Sequence, residues 1–217
     1  MFDLSRYDYL VFDCDGVILD SNSLKSKAFN EALPGEPRKL VHAFVDYHQK
    51  HGGVSRYEKF HYYFREMKKS NEVEKETDIA IKRFASIVKN GLMKCNYVPG
   101  VLEFLKQTNS LGIPSFVVSG SDEKELIAFF CQRDILNLFK QVYGSPSNKN
   151  DNTGKVIERM GQARTGCFFG DSRADYVASS KYGLDFVFVK GVSEWQDGYQ
   201  WNVKRGNLVI NNFVGCK

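Results

Sequence analysis

Long hydrophobic runs, clustered cysteines and a charge of one sign are all missing from this 217-residue chain, and each absence removes a class of protein. The five cysteines (Cys14, Cys95, Cys131, Cys167 and Cys216) stand far apart with no CxxC pair. That spacing argues against a disulfide framework or a zinc site and fits small buried hydrophobes in a reducing cytosol. No apolar stretch approaches the length that crosses a bilayer, and no basic-plus-apolar leader opens the chain, so a soluble cytoplasmic protein is expected. The formal charge is only +4, from 30 Lys and Arg against 26 Asp and Glu. It is too small and too evenly spread to argue for nucleic acid, and the pairs Lys25/Lys27 and Lys68/Lys69 read as solvated faces. A modest positive balance suits a small anionic ligand. There is no internal repeat and no low-complexity segment. With 42% hydrophobic and 26% charged residues, the chain is an ordinary globular one, long enough for a core plus an inserted subdomain.

What is present centres on Tyr9 to Asp20, YLVFDCDGVILD. Four apolar residues run directly into Asp13, Cys14, Asp15 and Gly16, as a strand buried on both faces would. In open α/β sheets ligands bind at the carboxyl ends of the strands. Two carboxylates one residue apart at such an end repel each other unless a cation or proton intervenes. A hard divalent cation such as Mg2+ resolves that conflict and leaves positions for water and phosphate. The plainer alternative is a turn, since Asp and Gly are common turn residues.

The rest of the chain divides in two. Helical patterns cover about 23–33, 39–50, 57–69 and 76–89, separated by Pro34-Gly35, by the loop His51 to Arg56, and by the stretch after Lys69. From Val98 onward helices and strands alternate. Strands are expected at 113–119, 141–143, 165–169 and 185–189, and a loop at 144–152 precedes the helix that ends at Gly161. The tail from Gly191 is weakly patterned, with one strand candidate at 207–211. Alternation with short links predicts a doubly wound parallel sheet with helices on both faces. The expected organisation is a core of residues 1–17 and 96–217 with a helical cap subdomain, residues 18–95, inserted after the first strand.

Three strand ends then present polar groups on one edge of the sheet: Asp13 and Asp15, Ser119 with Gly120, and Asp171 with Asp175. A loop with Lys149 lies between the last two. A phosphoryl substrate gives each a reason to be there. Asp13 would attack phosphorus. Asp15 would donate a proton to the leaving oxygen and then activate water. Asp171 would complete the magnesium site. Ser119, neighbouring backbone N–H groups and Lys149 would hold the non-reacting oxygens.

This set resembles the haloacid dehalogenase superfamily along nearly the whole chain. Phe12-Asp13-Cys14-Asp15-Gly16-Val17 is similar to the family's first motif, and Val117-Val118-Ser119-Gly120 to the second. Gly144 to Lys149 is similar to the third, and Gly170-Asp171-Ser172-Arg173-Ala174-Asp175 to the fourth. The helical block falls where the family inserts its cap. The resemblance implies an Mg2+-dependent phosphatase that forms an aspartyl-phosphate on Asp13, with the metal held by Asp13, Asp15, Asp171 and Asp175. The acid at Asp15 resembles the phosphatase and phosphomutase branches. For the motif-three lysine, Lys149 directly follows the Gly-Ser-Pro loop, whereas Lys155 reads as an exposed helical residue. Gly53-Val54-Ser55-Arg56 resembles the cap loop of β-phosphoglucomutase, which implies that Gly53, Ser55 and above all Arg56 set specificity. Ser55 would also cap a helix beginning at Arg56 or Tyr57. Of the cap histidines His42, His48, His51 and His61, His51 adjoins that loop; a second metal site is not indicated. The expected ligand is a small phosphorylated metabolite, phosphoglycolate- or sugar-phosphate-like. The alternatives are a sugar phosphomutase and a non-catalytic phosphate-binding module.

Overall fold

The computed structural model describes residues 2–216. Strand β1, Tyr9–Phe12, is buried at every residue. Its alternation splits the core: Leu10 and Phe12 join the larger apolar cluster, Tyr9 and Val11 the smaller. Strands β2 (Ser115–Asp122), β3 (Gln141–Ser145), β4 (Gly166–Gly170), β5 (Asp185–Val189) and β6 (Leu208–Ile210) complete a six-stranded sheet. The order is β3-β2-β1-β4-β5-β6 with every pairing parallel. Because the chain runs outward from β1 first on one side and then on the other, a crevice opens at the carboxyl end of β1. Helices α5 (Val101–Ser110) and α6 (Glu123–Gln132) cover the face of Phe12 and Phe169, whose rings stack at 4.9 Å. Helices α7 (Lys149–Met160) and α8 (Arg173–Lys181) cover the other through Val156, Ile157 and Ala178. The doubly wound parallel sheet read from the sequence is therefore present.

Between β1 and α5 run α1 (Asn22–Glu31), α2 (Arg38–Lys50), α3 (Arg56–Tyr62) and α4 (Val73–Leu92), which pack on one another. Their shared core is aromatic: Phe29, Phe44, Phe60, Tyr63 and Phe84 meet at centroid distances of 4.5–5.8 Å. The single helix expected over 57–69 is interrupted. After Tyr62 the chain widens into a π turn, Tyr63–Met67, closed by the Lys68 amide on the Tyr63 carbonyl at 2.8 Å. That extra residue lets Lys68 bridge Glu36 and Glu76, both at 2.7 Å, while Tyr63 reaches Glu36.

Two further elements differ from expectation. Helix α7 begins at Lys149, inside the stretch read as a loop, because the Asn148 side chain accepts the Asp151 amide at 2.9 Å and caps it. In the tail, α9 (Gly198–Lys204) lies between β5 and β6. Trp201 on it packs against Trp195 and Tyr176 at 5.1 and 4.5 Å. The tail ends by burying Phe213 beneath β1, its amide bonded to the Pro99 carbonyl at 2.9 Å. Among the described residues no helix is long and apolar enough to cross a membrane.

Candidate active site

The crevice beyond β1 gathers most of the polar residues singled out in the sequence. Asp13 is 2% exposed. Its Oδ1 accepts the Cys14 amide at 2.6 Å and its Oδ2 the Lys149 ammonium at 2.6 Å. Asp171 sits at the end of β4, where Asn22 at the start of α1 donates to its Oδ2 at 2.6 Å. Asp175 occupies the third position of α8. Its Oδ2 accepts the Ser172 amide and hydroxyl at 3.0 and 2.6 Å, a capping box, while its Oδ1 accepts Lys149. Lys149 thus bridges two acids, and its position at the first residue of α7 follows from the Asn148 cap. Lys155 is exposed and bonds Asn152.

Gly16 is required by this packing. It has φ +74°, and a Cβ there would collide with the Asp171 carboxylate and the Asn22 amide. Gly53 plays the same part for the helical insert. At φ +79° it lowers the 52–53 loop onto the site, and a Cβ would lie 2.7 Å from Ser172 Oγ and 2.9 Å from Lys149 Nζ. The Gly53 carbonyl in turn rests where a Cβ of Gly120 would be. The insert is closed over the crevice.

Asp13, Asp171 and Asp175 each place one carboxylate oxygen within 4.8 Å of the others, all buried. Burial pushes Asp13 up to about 7; Lys149 opposes the shift, and Asp175 and Asp15 add to it. Burial also drives Asp171 well above the carboxylate range, with Asp13 and Asp175 contributing. Fully ionised, three acids against one lysine would carry an excess of negative charge, and oxygen donors in this arrangement fit a hard divalent cation.

Asp15, expected as a further metal ligand, is placed differently. Its carboxylate turns away from that trio to Ser21 Oγ at 2.5 Å, Ser121 Oγ at 2.8 Å and the Lys25 ammonium. Burial raises this group, but Lys25 and the hydroxyl donors outweigh it and hold Asp15 below the ordinary carboxylate range. Lys25, read as solvated, is folded inward with a side chain 12% exposed. Ser119, expected to hold phosphate, is fully buried, and its hydroxyl accepts the Ser121 amide at 3.1 Å. The β2–β3 register slips between Val118 and Asp122, so 119–121 bulge out of the ladder and present Gly120 and Ser121 to the crevice instead.

Arg56 departs most from expectation. It is 7% exposed and paired through two bonds with Glu125 on α6, at 2.8 and 2.6 Å, with Asp122 at 3.8 Å. A guanidinium so engaged ties insert to core before any ligand arrives. Ser55 caps α3 through the Glu58 amide at 3.3 Å. His51 is exposed and bonds the Tyr47 carbonyl, whereas His48 lines the cavity.

A cavity of about 80 Å³ lies between insert and core. Asp13, Asp15, Asp171, Gly120 and Ser121 line its core side, and Lys59, His48, Phe29 and Phe84 its insert side. Lys59 and Glu194 were missed in the sequence because neither lies in a motif. Glu194, after β5, accepts Ser26 at 2.8 and 2.9 Å and Gln49 at 3.3 Å, a second tie between core and insert.

Known structures share this architecture. A predicted phosphoglycolate phosphatase from Haemophilus somnus superposes with a TM-score of 0.75 at 16% identity, over 97% of this chain and 96% of that one. CbbY from Rhodobacter sphaeroides, in complex with phosphate, gives 0.71 at 15% identity over 96% of each. A haloacid dehalogenase-like hydrolase from Streptococcus pneumoniae gives 0.71 at 16% identity over 95% of each. At these identities the likeness is one of fold. No curated protein sequence is significantly similar to the chain. The haloacid dehalogenase-like hydrolase family, however, matches residues 10–189, from the second residue of β1 to the last of β5, and the chain belongs to that family.

Proposed function

We propose that this protein is an Mg2+-dependent phosphatase for small phosphate monoesters, with residues 18–95 acting as a closing cap. The observation that carries the reading is the buried trio of Asp13, Asp171 and Asp175 at the end of β1, opposed by Lys149 and roofed by a tight cavity. Asp13 and Asp171 would hold the metal directly. Asp175, committed to Ser172 and Lys149, would act by remaining lone pairs or through water. When bound, the cation neutralises charge on the transferring phosphoryl oxygens.

In the first half-reaction an Asp13 oxygen attacks phosphorus, the bond to the ester oxygen breaks, and the departing oxygen takes a proton from the Asp15–Lys25 pair. In the second, Asp15 removes a proton from water, the water oxygen attacks phosphorus, and the bond to Asp13 breaks to release phosphate. Asp15 is held ionised by Lys25, which suits the base role directly. Lys149 and the 120–121 backbone, half-buried at the cavity wall, would face the phosphoryl oxygens, and Ser119 positions that bulge. The closed cap excludes bulk water.

The cavity also limits the substrate. With the insert closed, the cavity of about 80 Å³ is a small one for a ligand, which favours a phosphate on a short carbon chain. The small closed cavity favours a short ester over a hexose phosphate, and the two terminal nitrogens of Arg56, the residue that pointed to a mutase, are already paired with Glu125. Phosphate release from a panel of phosphorylated metabolites, with and without Mg2+, tests the reading. Mg2+-dependent release from two- and three-carbon esters supports it. Formation of an isomeric sugar phosphate without free phosphate would favour the mutase, and Mg2+ binding with no turnover would favour the binding module.

The acid cluster makes a second prediction. Folded Asp13 keeps its proton up to about 7, whereas the unfolded chain releases it near 3.8. The native state therefore binds more protons between those values, and in EDTA its stability falls as pH rises from about 4 to 7. Asp171 acts in the same direction. Added Mg2+ should reverse this trend. Thermal melts across that range, in EDTA and in Mg2+, check it, and identical profiles would remove the metal site from the account.

A further inference from the structure

We propose that Lys59 and His48, on the cap side of the cavity, form a second oxyanion subsite, so that the substrate carries a carboxylate or second phosphate besides the ester phosphate. This rests on the phosphatase reading for the identity of the first anion, and not for its own test.

Lys59 projects from α3 and is 2% exposed. Among the described residues no carboxylate lies within 4 Å of it. Its ammonium meets only His48, Nδ1 at 2.8 Å and the carbonyl at 3.4 Å, and the Phe29 ring at 5.4 Å. Of the cavity's other cations, Lys25 is paired with Asp15 and Arg56 with Glu125, while Lys50 and Arg173 are exposed to solvent. Among the described residues, Lys59 is the cavity-lining cation that is both buried and without an anion, on a wall that a ligand would touch.

His48 supplies the independent observation. If Nδ1 accepts from the Lys59 ammonium, the neutral ring carries its proton on Nε2, a donor. That Nε2 is buried and has no hydrogen-bond partner. Glu194 Oε2, at 4.0 Å, is beyond hydrogen-bonding reach and already accepts from Ser26, while Gln49 donates to Oε1 of the same carboxylate. The neutral ring is consistent with burial beside Lys59 and Lys25, which pushes His48 down to about 2. Burial also pulls Lys59 to about 7, with Lys25 and Lys149 adding and Asp15 and Glu194 opposing. An ammonium without a counter-ion and an N–H without an acceptor thus share one cavity wall, and a single oxyanion satisfies both. The core side is lined by acids and the reaction takes place there, so phosphate and second anion lie at opposite ends of a short molecule. The space available favours a carboxylate over the larger phosphate.

The test uses Asp13→Asn protein, in which turnover cannot deplete the ligand, and isothermal titration in Mg2+. The ligands are 2-phosphoglycolate, ethylene glycol bisphosphate, ethyl phosphate and phosphoethanolamine. The expected result is that 2-phosphoglycolate binds about tenfold or more tighter than ethyl phosphate, with phosphoethanolamine weakest. The bisphosphate arm shows whether a second phosphate is also accepted. Adding Lys59→Met should collapse the preference to within about threefold while leaving ethyl phosphate affinity unchanged. Adding Lys59→Arg instead should retain it. Equal binding of the charged and neutral esters by Asp13→Asn, or equal weakening of both by Lys59→Met in a protein that still melts cooperatively, would overturn the proposal. The Lys59→Arg arm decides the same question if the Met variant does not fold. Preferential binding with no phosphate release from wild type would leave the subsite standing and remove the phosphatase reading.

Discussion

Asp13→Asn should eliminate Mg2+-dependent phosphate release, lowering kcat by about four orders of magnitude or more. The substitution is nearly isosteric, so the Cys14 amide keeps an acceptor in the place of Oδ1. A carboxamide has no anionic oxygen to attack phosphorus, however, and the reaction loses its covalent route. The fold should survive, because burial already favours a neutral group at this position. Lys149 loses one of its two acceptors but keeps Asp175, so a cooperative thermal melt in EDTA is the expected companion result. Retention of more than about 1% of wild-type kcat would show that another group is the nucleophile.

Lys149→Met is expected to be the most damaging change to stability. The ammonium is 5% exposed and bridges Asp13 and Asp175, and these two charges raise it above the ordinary lysine range in spite of burial. Removing one partner of a buried pair leaves the other charge uncompensated, at a cost of about 3–5 kcal/mol. Here two acids are left beside a third, so the loss should be largest near pH 8 and shrink toward pH 5.5, as Asp13 and Asp171 take up protons. Urea melts at the two values check this. Activity should fall about a thousandfold, because Lys149 also faces the phosphoryl oxygens. Lys155→Met, six residues along the same helix and exposed, should change stability by less than about 0.5 kcal/mol and leave turnover intact. Equal effects of the two substitutions would place the site elsewhere.

How far the chain could be read before folding depends on how local each feature is. The strand carrying Asp13 was legible because four apolar residues running into two acids leave few alternatives. Lys149 followed from its place after Gly144-Ser145-Pro146. The start of α7 was hidden because its cap is a single asparagine side chain, and α9 because Gly198 and polar residues break its pattern. Site residues held by partners remote in sequence were the least legible. Lys25 looks solvated until β1 and β2 bring Asp15 and Ser121 to it. Arg56 looks free for a ligand until Glu125, 69 residues away, takes both ends of its guanidinium. Lys59 sits in a helix whose aromatic neighbours read simply as core, and only the folded insert shows it to be buried without a counter-ion. Ser119 was placed at the right strand end, but the bulge that turns Gly120 and Ser121 outward has no signature beyond Ser-Gly-Ser.

The central claim, covalent catalysis by Asp13, is tested most directly by trapping the intermediate. The protein is mixed with Mg2+ and a two-carbon phosphate ester, quenched in acid during turnover and reduced with borohydride, which converts an aspartyl-phosphate to homoserine. Peptide mass spectrometry then reads position 13. The account predicts homoserine at Asp13, dependent on both substrate and Mg2+. Phosphate release with Asp13 unmodified, or with the label on another residue, would contradict it.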